Sequence, residues 1–320
     1  MLRVGLALIA TLISFGAPAQ APYPNQPVRM IVPFAPGGAS DFVARVMQHK
    51  FGEILGQQIV IENKGGAAGN IGMDAAARAN PDGYTLFLGN IGTVELNPYV
   101  FKDLKLKPLQ DLIAISQLAD MPSLLIVNKD FPPNTVQELI DYVKTRPGKI
   151  NFASPGYGTP PHMIGEMFKQ RASVDIVHVP YKGTAAALTD IMAGQVQLTF
   201  ENPSVLVQLI RDGKLKGLAT TGEVRNPQAP ELPTMIESGL ADFVSTSFTA
   251  LAAPAGTPPE IVRRLNAELN AGLNSTELGS TFAKLGVGSR PLSPEEFGAF
   301  LVHENQKWSA VARTANIRIE

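Results

Sequence analysis

Two loops of one design carry the chemistry that this sequence offers. The first is Pro33-Phe34-Ala35-Pro36-Gly37-Gly38-Ala39-Ser40-Asp41, and the second is Ser154-Pro155-Gly156-Tyr157-Gly158-Thr159-Pro160-Pro161-His162. Each lies between an apolar, β-rich run and the start of a helical pattern. Glycine lets backbone N–H groups turn inward and approach a ligand closely. A helix start adds N–H donors that the helix itself leaves without a partner, and a partial positive charge. Together these make an anion site that needs no Lys or Arg, and neither loop contains one. Proline stiffens both loops and lowers the entropy lost on binding. Gly and Pro also make plain strand-to-helix turns, so one such loop is ambiguous. Two in one chain point to a ligand clamp.

Other residues are weaker candidates. The stretch Asn63-Lys64-Gly65-Gly66-Ala67-Ala68-Gly69-Asn70 is a third glycine loop that also reads as a flexible turn. Pro180-Tyr181-Lys182-Gly183-Thr184 offers Tyr181 as a ligand wall with a polar tip, or as a half-buried structural residue. His162 is the best-placed acid/base candidate, but no carboxylate neighbours it in sequence, so ordering of its loop is the better reading. Glu201, after Leu198-Thr199-Phe200, stands to reach a cleft or to end a strand in solvent. Lys64 could supply a positive charge, or be surface. Sequences fitting G-x-G-x-x-G, G-x-x-x-x-G-K-[ST] and G-x-S-x-G are absent. With no cysteine, and only His49, His162, His178 and His303, neither a thiolate nor a helical metal site can be built, and no cofactor is expected.

Short apolar runs alternate with helical patterns, which predicts a parallel α/β fold. Strands are expected near 28–33, 58–62, 84–88 and 114–118, with helices over 41–55 and 71–79. The face of the first helix would hold Phe42, Val46, Phe51 and Leu55. A second unit begins with a strand at 123–127. It continues with a helix at 135–145 that opens on a Thr135/Glu138 capping box, and then strands and helices alternate to a strand at 217–221. Thr246 to Ala253 reads as a further strand, and Pro258 and Ser293 sit at the starts of two helices. Nothing after Ala253 can build a new sheet, so the tail must pack on the first one. The chain then crosses twice, near Pro122 and near Ser245. We expect one lobe from residues 22–122 plus 246–320 and another from 123–245, with the ligand between them.

The 320 residues suit about two domains. Hydrophobic residues make 45% and charged residues 17%, which argues against disorder. With 27 Lys and Arg against 28 Asp and Glu, there is no electrostatic drive toward nucleic acid and no polybasic membrane tether. Arg3, the uncharged run from Val4 to Ala17, and Ala17-Pro18-Ala19 read as a secretory signal peptide, residues 1–19, cut after Ala19. The run is shorter than the roughly 20 residues that span a bilayer. A soluble, exported protein follows.

The segments YPNQPVRMIVPFAPGGASD, IENKGGAAGNIG, DGYTLFLGN, NPYVF, INFASPGYGTPPHM, VPYKGTAAALTDIMAGQV and ELPTMIESGLADF resemble the periplasmic solute receptors of tripartite tricarboxylate transporters, the Bug receptors. The resemblance covers nearly the whole mature chain. It implies a two-lobed flytrap with two crossing strands and a small carboxylate held by loop backbone groups and ordered water. By matching position it implies Phe34, Gly37, Gly38 and Ala39 in one lobe, and Ser154, Gly156, Gly158, Thr159 and His162 in the other. Asn90 and Thr93 fall where the family often has a polar residue. Asp41, Tyr181 and Glu201 complete the expected ligand-contacting set. Glu201 stands where the family commonly has Asp, and the Asn202-Pro203 pair after it is also a departure, so ligand preference does not transfer. The resemblance implies a monomeric, non-enzymatic receptor in the periplasm that delivers its ligand to membrane transporter subunits. The alternatives are a secreted α/β hydrolase or transferase using His162 with Glu201, and a ligand sensor for a signalling system. The absence of a nucleophile motif disfavours the enzyme.

Overall fold

The computed structural model describes residues 23–36, 39–284 and 287–317. The expected signal peptide and two expected site residues, Gly37 and Gly38, lie outside them. Among the described residues ten strands form two five-stranded sheets. The first sheet holds β1 (Val28–Val32), β2 (Ile59–Asn63), β3 (Thr85–Asn90), β4 (Leu112–Pro122) and β10 (Thr246–Pro254), in the order β2-β1-β3-β10-β4. The second holds β5 (Leu124–Asn128), β6 (Ile150–Ser154), β7 (Ile176–Pro180), β8 (Leu198–Glu201) and β9 (Leu215–Thr220), in the order β7-β6-β8-β5-β9. Near-continuous apolar runs such as Leu86-Phe87-Leu88 and Leu124-Leu125-Ile126-Val127 are wholly buried, because helices cover both faces of each sheet.

The sheets are mixed, not parallel throughout as the alternating pattern predicts. β1 runs parallel to β2 and β3, but β10 is antiparallel to both β3 and β4. Likewise β6 is parallel to β7 and β8, while β5 is antiparallel to β8 and β9. The reason is topological: β10 returns from the second sheet and β5 arrives from the first, so each enters its sheet from the far side. The wholly buried Thr221 ties the outgoing and returning segments together. Ser123 N–H donates to its Oγ1 at 2.9 Å, its own N–H donates to Ser123 O at 2.9 Å, and Ser245 N–H donates to Thr221 O at 2.8 Å. Its hydroxyl donates to Ser245 O.

Helix α1 (Ala39–Leu55) buries Val43, Met47, Phe51 and Leu55, an i, i+4 stripe. The expected face was one residue off at its start, since Phe42 is 45% exposed. After α2 (Asn70–Ala77), a π-helical stretch at Gly92–Leu96 leads into α3 (Asn97–Val100), and α4 (Pro108–Asp111) precedes β4. The second lobe carries α5 (Val136–Lys144), α6 (Pro160–Ala172), α7 (Thr184–Met192) and α8 (Pro203–Arg211). The α5 box is not closed as expected. Thr135 Oγ1 accepts from Glu138 N–H, but Glu138 Oε2 reaches back to Asn134 N–H.

The tail forms α9 (Pro259–Leu273), α10 (Thr276–Lys284) and α11 (Pro294–Thr314). A complete capping box, Ser293 with Glu296, starts α11. This helix touches both lobes. Tyr99 Oη donates to Asn305 O at 3.2 Å, Gln170 Nε2 to Val311 O at 3.2 Å, and Lys307 Nζ to Val244 O at 3.0 Å. Its Trp308 is fully buried in an apolar cluster that also holds Phe87 of the first sheet and Phe152 and Phe200 of the second.

Candidate functional site

In open α/β sheets ligands bind beyond the C-terminal strand ends, where loops lead into helices. Here β1 leads into the first glycine loop and α1, and β6 leads into the second glycine loop and α6. β8 ends at Glu201 on the same edge as β6, because the two run parallel.

The first loop is fastened from below. Asn63 Nδ2 donates to Phe34 O and to Asp41 Oδ1, both at 3.0 Å. Arg45 Nε donates to Asp41 Oδ2 at 2.8 Å. Asp41 is thus buried and committed to the loop's support. Phe34 is half-buried, and Ala39 is the first residue of α1.

The third glycine loop is a built part of this lobe rather than a flexible turn. Gly66, Ala67, Ala68 and Gly69 all have positive φ, at 120°, 46°, 53° and 93°. Two successive alanines there cost of order 1 kcal/mol each, so packing must hold them. Asn97 Nδ2 does so, donating to Ala68 O at 3.0 Å and to Asn70 Oδ1 at 2.7 Å. A Cβ on Gly69 would come within 2.5 Å of Thr93 Cγ2 and 3.4 Å of the Phe34 ring. This loop therefore joins Phe34 to Thr93. Asn90 and Thr93 close a turn on each other: Thr93 N–H donates to Asn90 Oδ1 at 3.0 Å, and Asn90 N–H donates to Thr93 Oγ1 at 3.0 Å. Thr93 is wholly buried, and Asn90 is half-buried.

The second loop is ordered by a pair of stacked imidazoles. His162 and His178 lie face to face, 3.8 Å between ring centroids, with the exposed Tyr157 ring edge-on to both. Gly158 N–H donates to His162 Nδ1 at 3.0 Å. Ser154 Oγ lies 2.6 Å from His178 Nε2 and also accepts from Gly156 N–H at 3.2 Å. Thr159 Oγ1 donates to Gly156 O at 2.7 Å. Burial, and next the Lys169 charge, lower the His162 pKa to about 4. Burial, and next His162, lower that of His178 to about 3. Both rings are neutral at pH 7, and His162 orders its loop as its sequence position suggests. The N–H groups of Gly156 and Gly158 serve the loop itself. Among the described residues those of Tyr157 and His162 make no bond within the protein, and the first turn of α6 lacks two donors because Pro160 and Pro161 open it.

Tyr181 Oη donates to Asp190 Oδ2 at 2.8 Å, and burial, with Asp190, pushes the phenol up to about 12. Glu201 accepts from Thr184 Oγ1 at 2.9 Å and from Asn202 N–H at 2.8 Å. Its two hydrogen bonds go to Thr184 and Asn202 and not to His162, whose Nδ1 is already engaged by Gly158. His178 and Tyr157 were not singled out by sequence. A histidine within a strand and a tyrosine inside a loop give no local signal of stacking.

The second loop meets the first lobe at Val100: a Cβ on Gly158 (φ +71°) would lie 2.6 Å from Val100 Cγ1. Elsewhere, an apolar groove of about 430 Å³ lies beside α11, lined by Val94, Leu112, Phe297 and Val302 among others. It includes none of the glycine loops. Among the described residues no helix is long and apolar enough to cross a membrane, and no cluster of His, Asp and Glu could hold a metal.

This geometry has close relatives. The Bordetella pertussis protein BugT is 35% identical over 98% of each chain. A solved Rhodopseudomonas palustris protein, with adipate, is 34% identical with a TM-score of 0.78, covering 93% of this chain and 100% of that one. MatC of the same organism, solved with bound malate, is 34% identical with a TM-score of 0.73, covering 90% and 99%. Residues 43–317 match the family model described as the tripartite tricarboxylate transporter family receptor. The fold is the two-lobed fold of periplasmic binding proteins, and the chain belongs to the tripartite tricarboxylate transporter receptor family, whose members are solute-binding receptors and not enzymes.

Proposed function

We propose that this receptor captures a small carboxylate in the periplasm, after removal of residues 1–19, and delivers it to the membrane subunits of a tripartite tricarboxylate-type transporter. In this reading residues 22–122 with 246–320 form one lobe, 123–245 form the other, and the protein works as a monomer. The observation that carries it is the pairing of two glycine loops, one at the end of β1 and one at the end of β6, with the second in contact with the first lobe at Val100. The relatives solved with adipate and malate support a carboxylate.

Recognition would rest on oriented N–H groups and helix starts. In the second lobe the donors are those of Tyr157 and His162, with Gly156, Gly158, Ser154 and Thr159 holding the loop in shape. In the first, the loop from Phe34 through Gly37, Gly38 and Ala39 leads into α1, with Asp41 as its anchor and Asn90 beside it. Because each lobe holds half of the site, binding favours the closed arrangement by its differential affinity.

Mass spectrometry of the ligand released from purified protein, followed by calorimetry with that compound, tests this. A single carboxylate, bound stoichiometrically and returned unchanged, is expected. A non-acidic ligand overturns the reading. Loss of uptake on deleting the receptor separates transport from sensing.

A further inference from the structure

Glu201 sits at the strand edge that carries the second glycine loop, and among the described residues it has no cation beside it. It ends β8, the neighbour of β6, and the second glycine loop follows β6. Its Oε2 accepts from Thr184 Oγ1, at the start of α7. The segment just before Thr184 lies against that glycine loop: Tyr181 N–H donates to Ser154 O at 2.9 Å, and the Gly156 Cβ position is 3.8 Å from Tyr181 O. Its Oε1 accepts from Asn202 N–H. A carboxylate has about four acceptor positions, so the two bonds orient the group and leave roughly half of its capacity unused. Among the described residues no Lys, Arg or His lies within ion-pair distance of it. Burial pushes its pKa up, the two hydrogen bonds opposing. A half-buried carboxylate in this state gains from a further donor and repels a second negative charge.

We infer that Glu201 makes the cleft selective for a carboxylate whose far end carries a hydrogen-bond donor, a hydroxyl or an ammonium, in place of a second carboxylate. This rests on the carboxylate reading above. At a separation of about 5 Å and an effective dielectric constant of ~20, like charges repel enough to shift affinity by more than tenfold.

The test is calorimetry of succinate, γ-hydroxybutyrate and γ-aminobutyrate, and of longer and shorter matched sets, against the wild-type protein and Glu201→Gln. Wild type should favour the donor-bearing member of a matched set over the dicarboxylate by at least about tenfold. In Glu201→Gln that ratio should fall below about threefold, chiefly by gain of dicarboxylate affinity. If wild type binds the dicarboxylate equally or better, the inference fails, whether or not the variant folds. It fails too if a folded Glu201→Gln keeps the ratio. If no carboxylate of any set binds, the carboxylate reading itself falls; binding with a ratio near unity removes only the role of Glu201.

Discussion

Gly158 gives its N–H to Nδ1 of His162, 3.0 Å away, across the turn that opens α6. The bond fixes the neutral ring with its proton on Nε2, since a protonated Nδ1 could not accept. Both stacked imidazoles have pKa values depressed below the usual 6.5. The unfolded chain therefore binds more protons than the folded one as pH falls below about 6.5, so stability is full above that pH and declines toward pH 4. Urea unfolding should show this decline, and His162→Phe should flatten it. His162→Phe should also weaken ligand binding at pH 7, because the Gly158 N–H loses its acceptor. A variant that keeps the acid sensitivity and the affinity of wild type would show that the pair does not hold the loop.

Gly158 also touches the other lobe. Its φ of +71° and the 2.6 Å approach of a Cβ to Val100 Cγ1 are separate obstacles to a side chain. Gly158→Ala should lose more than tenfold in ligand affinity while remaining folded. Val100→Ala in the same chain removes the clash and leaves only backbone strain of about 1 kcal/mol, roughly a fivefold effect. Isothermal titration of the single and double variants measures this. Absence of any recovery in the double variant would place the glycine's role in its positive-φ backbone and not in the contact with Val100.

The sequence makes the helix and strand order legible because apolar periodicity survives without knowledge of neighbours. The mixed sheets were not legible, since a strand's direction depends on which lobe it comes from. Phe42 misled because a helix face is fixed only when its partner, here α9 and the first sheet, is known. At the site, the two glycine loops could be read from local composition. The roles inside them could not: Asp41 turns to Asn63 and Ser154 to His178, through contacts 22 and 24 residues apart. The alanines at positive φ in the third loop are stabilised by Asn97, 29 residues away, and alanine itself carries no sign of such a conformation.

Glu95 is fully buried in the π-helical stretch; among the described residues neither carboxyl oxygen has a partner at good hydrogen-bond geometry, and the nearby Asn305 side chain only partly opposes the cost of burial. Burial, then the nearby Glu304 charge, raises its pKa to about 9. A raised acid gives stability that is present below the unfolded pKa near 4.5 and is lost as pH rises toward 9. Glu95→Gln keeps the shape and cannot ionise. It should match wild type near pH 5 and be the more stable protein at pH 8, with the gap widening between them. Thermal melts at the two pH values decide this. A variant less stable than wild type at pH 8 would mean that the ionised carboxylate has a partner.

The cations near the first loop in sequence are already paired, Arg45 with Asp41 inside the loop itself. Lys64 Nζ sits 3.0 Å from Glu62 Oε1, and Arg29 Nη1 sits 3.2 Å from Glu62 Oε2, all three side chains being partly exposed. Arg29 Nη2 also donates to Thr85 Oγ1 at 3.1 Å. Lys182, beside the start of α7, is exposed. A clamp built from N–H groups and helix starts therefore holds its anion with fixed dipoles, and charge-assisted bonds of that kind contribute about 1.5–3 kcal/mol each. Lys64→Ala and Lys182→Ala should each change the binding free energy by less than ~1 kcal/mol. Affinity should also fall only modestly between low and high salt, because donors inside a closed cleft are screened far less than an exposed pair. Calorimetry of both variants at two ionic strengths measures these effects together. Loss of binding on removing either lysine, with a steep salt dependence in the wild type, would assign recognition to a charged side chain and not to the glycine loops.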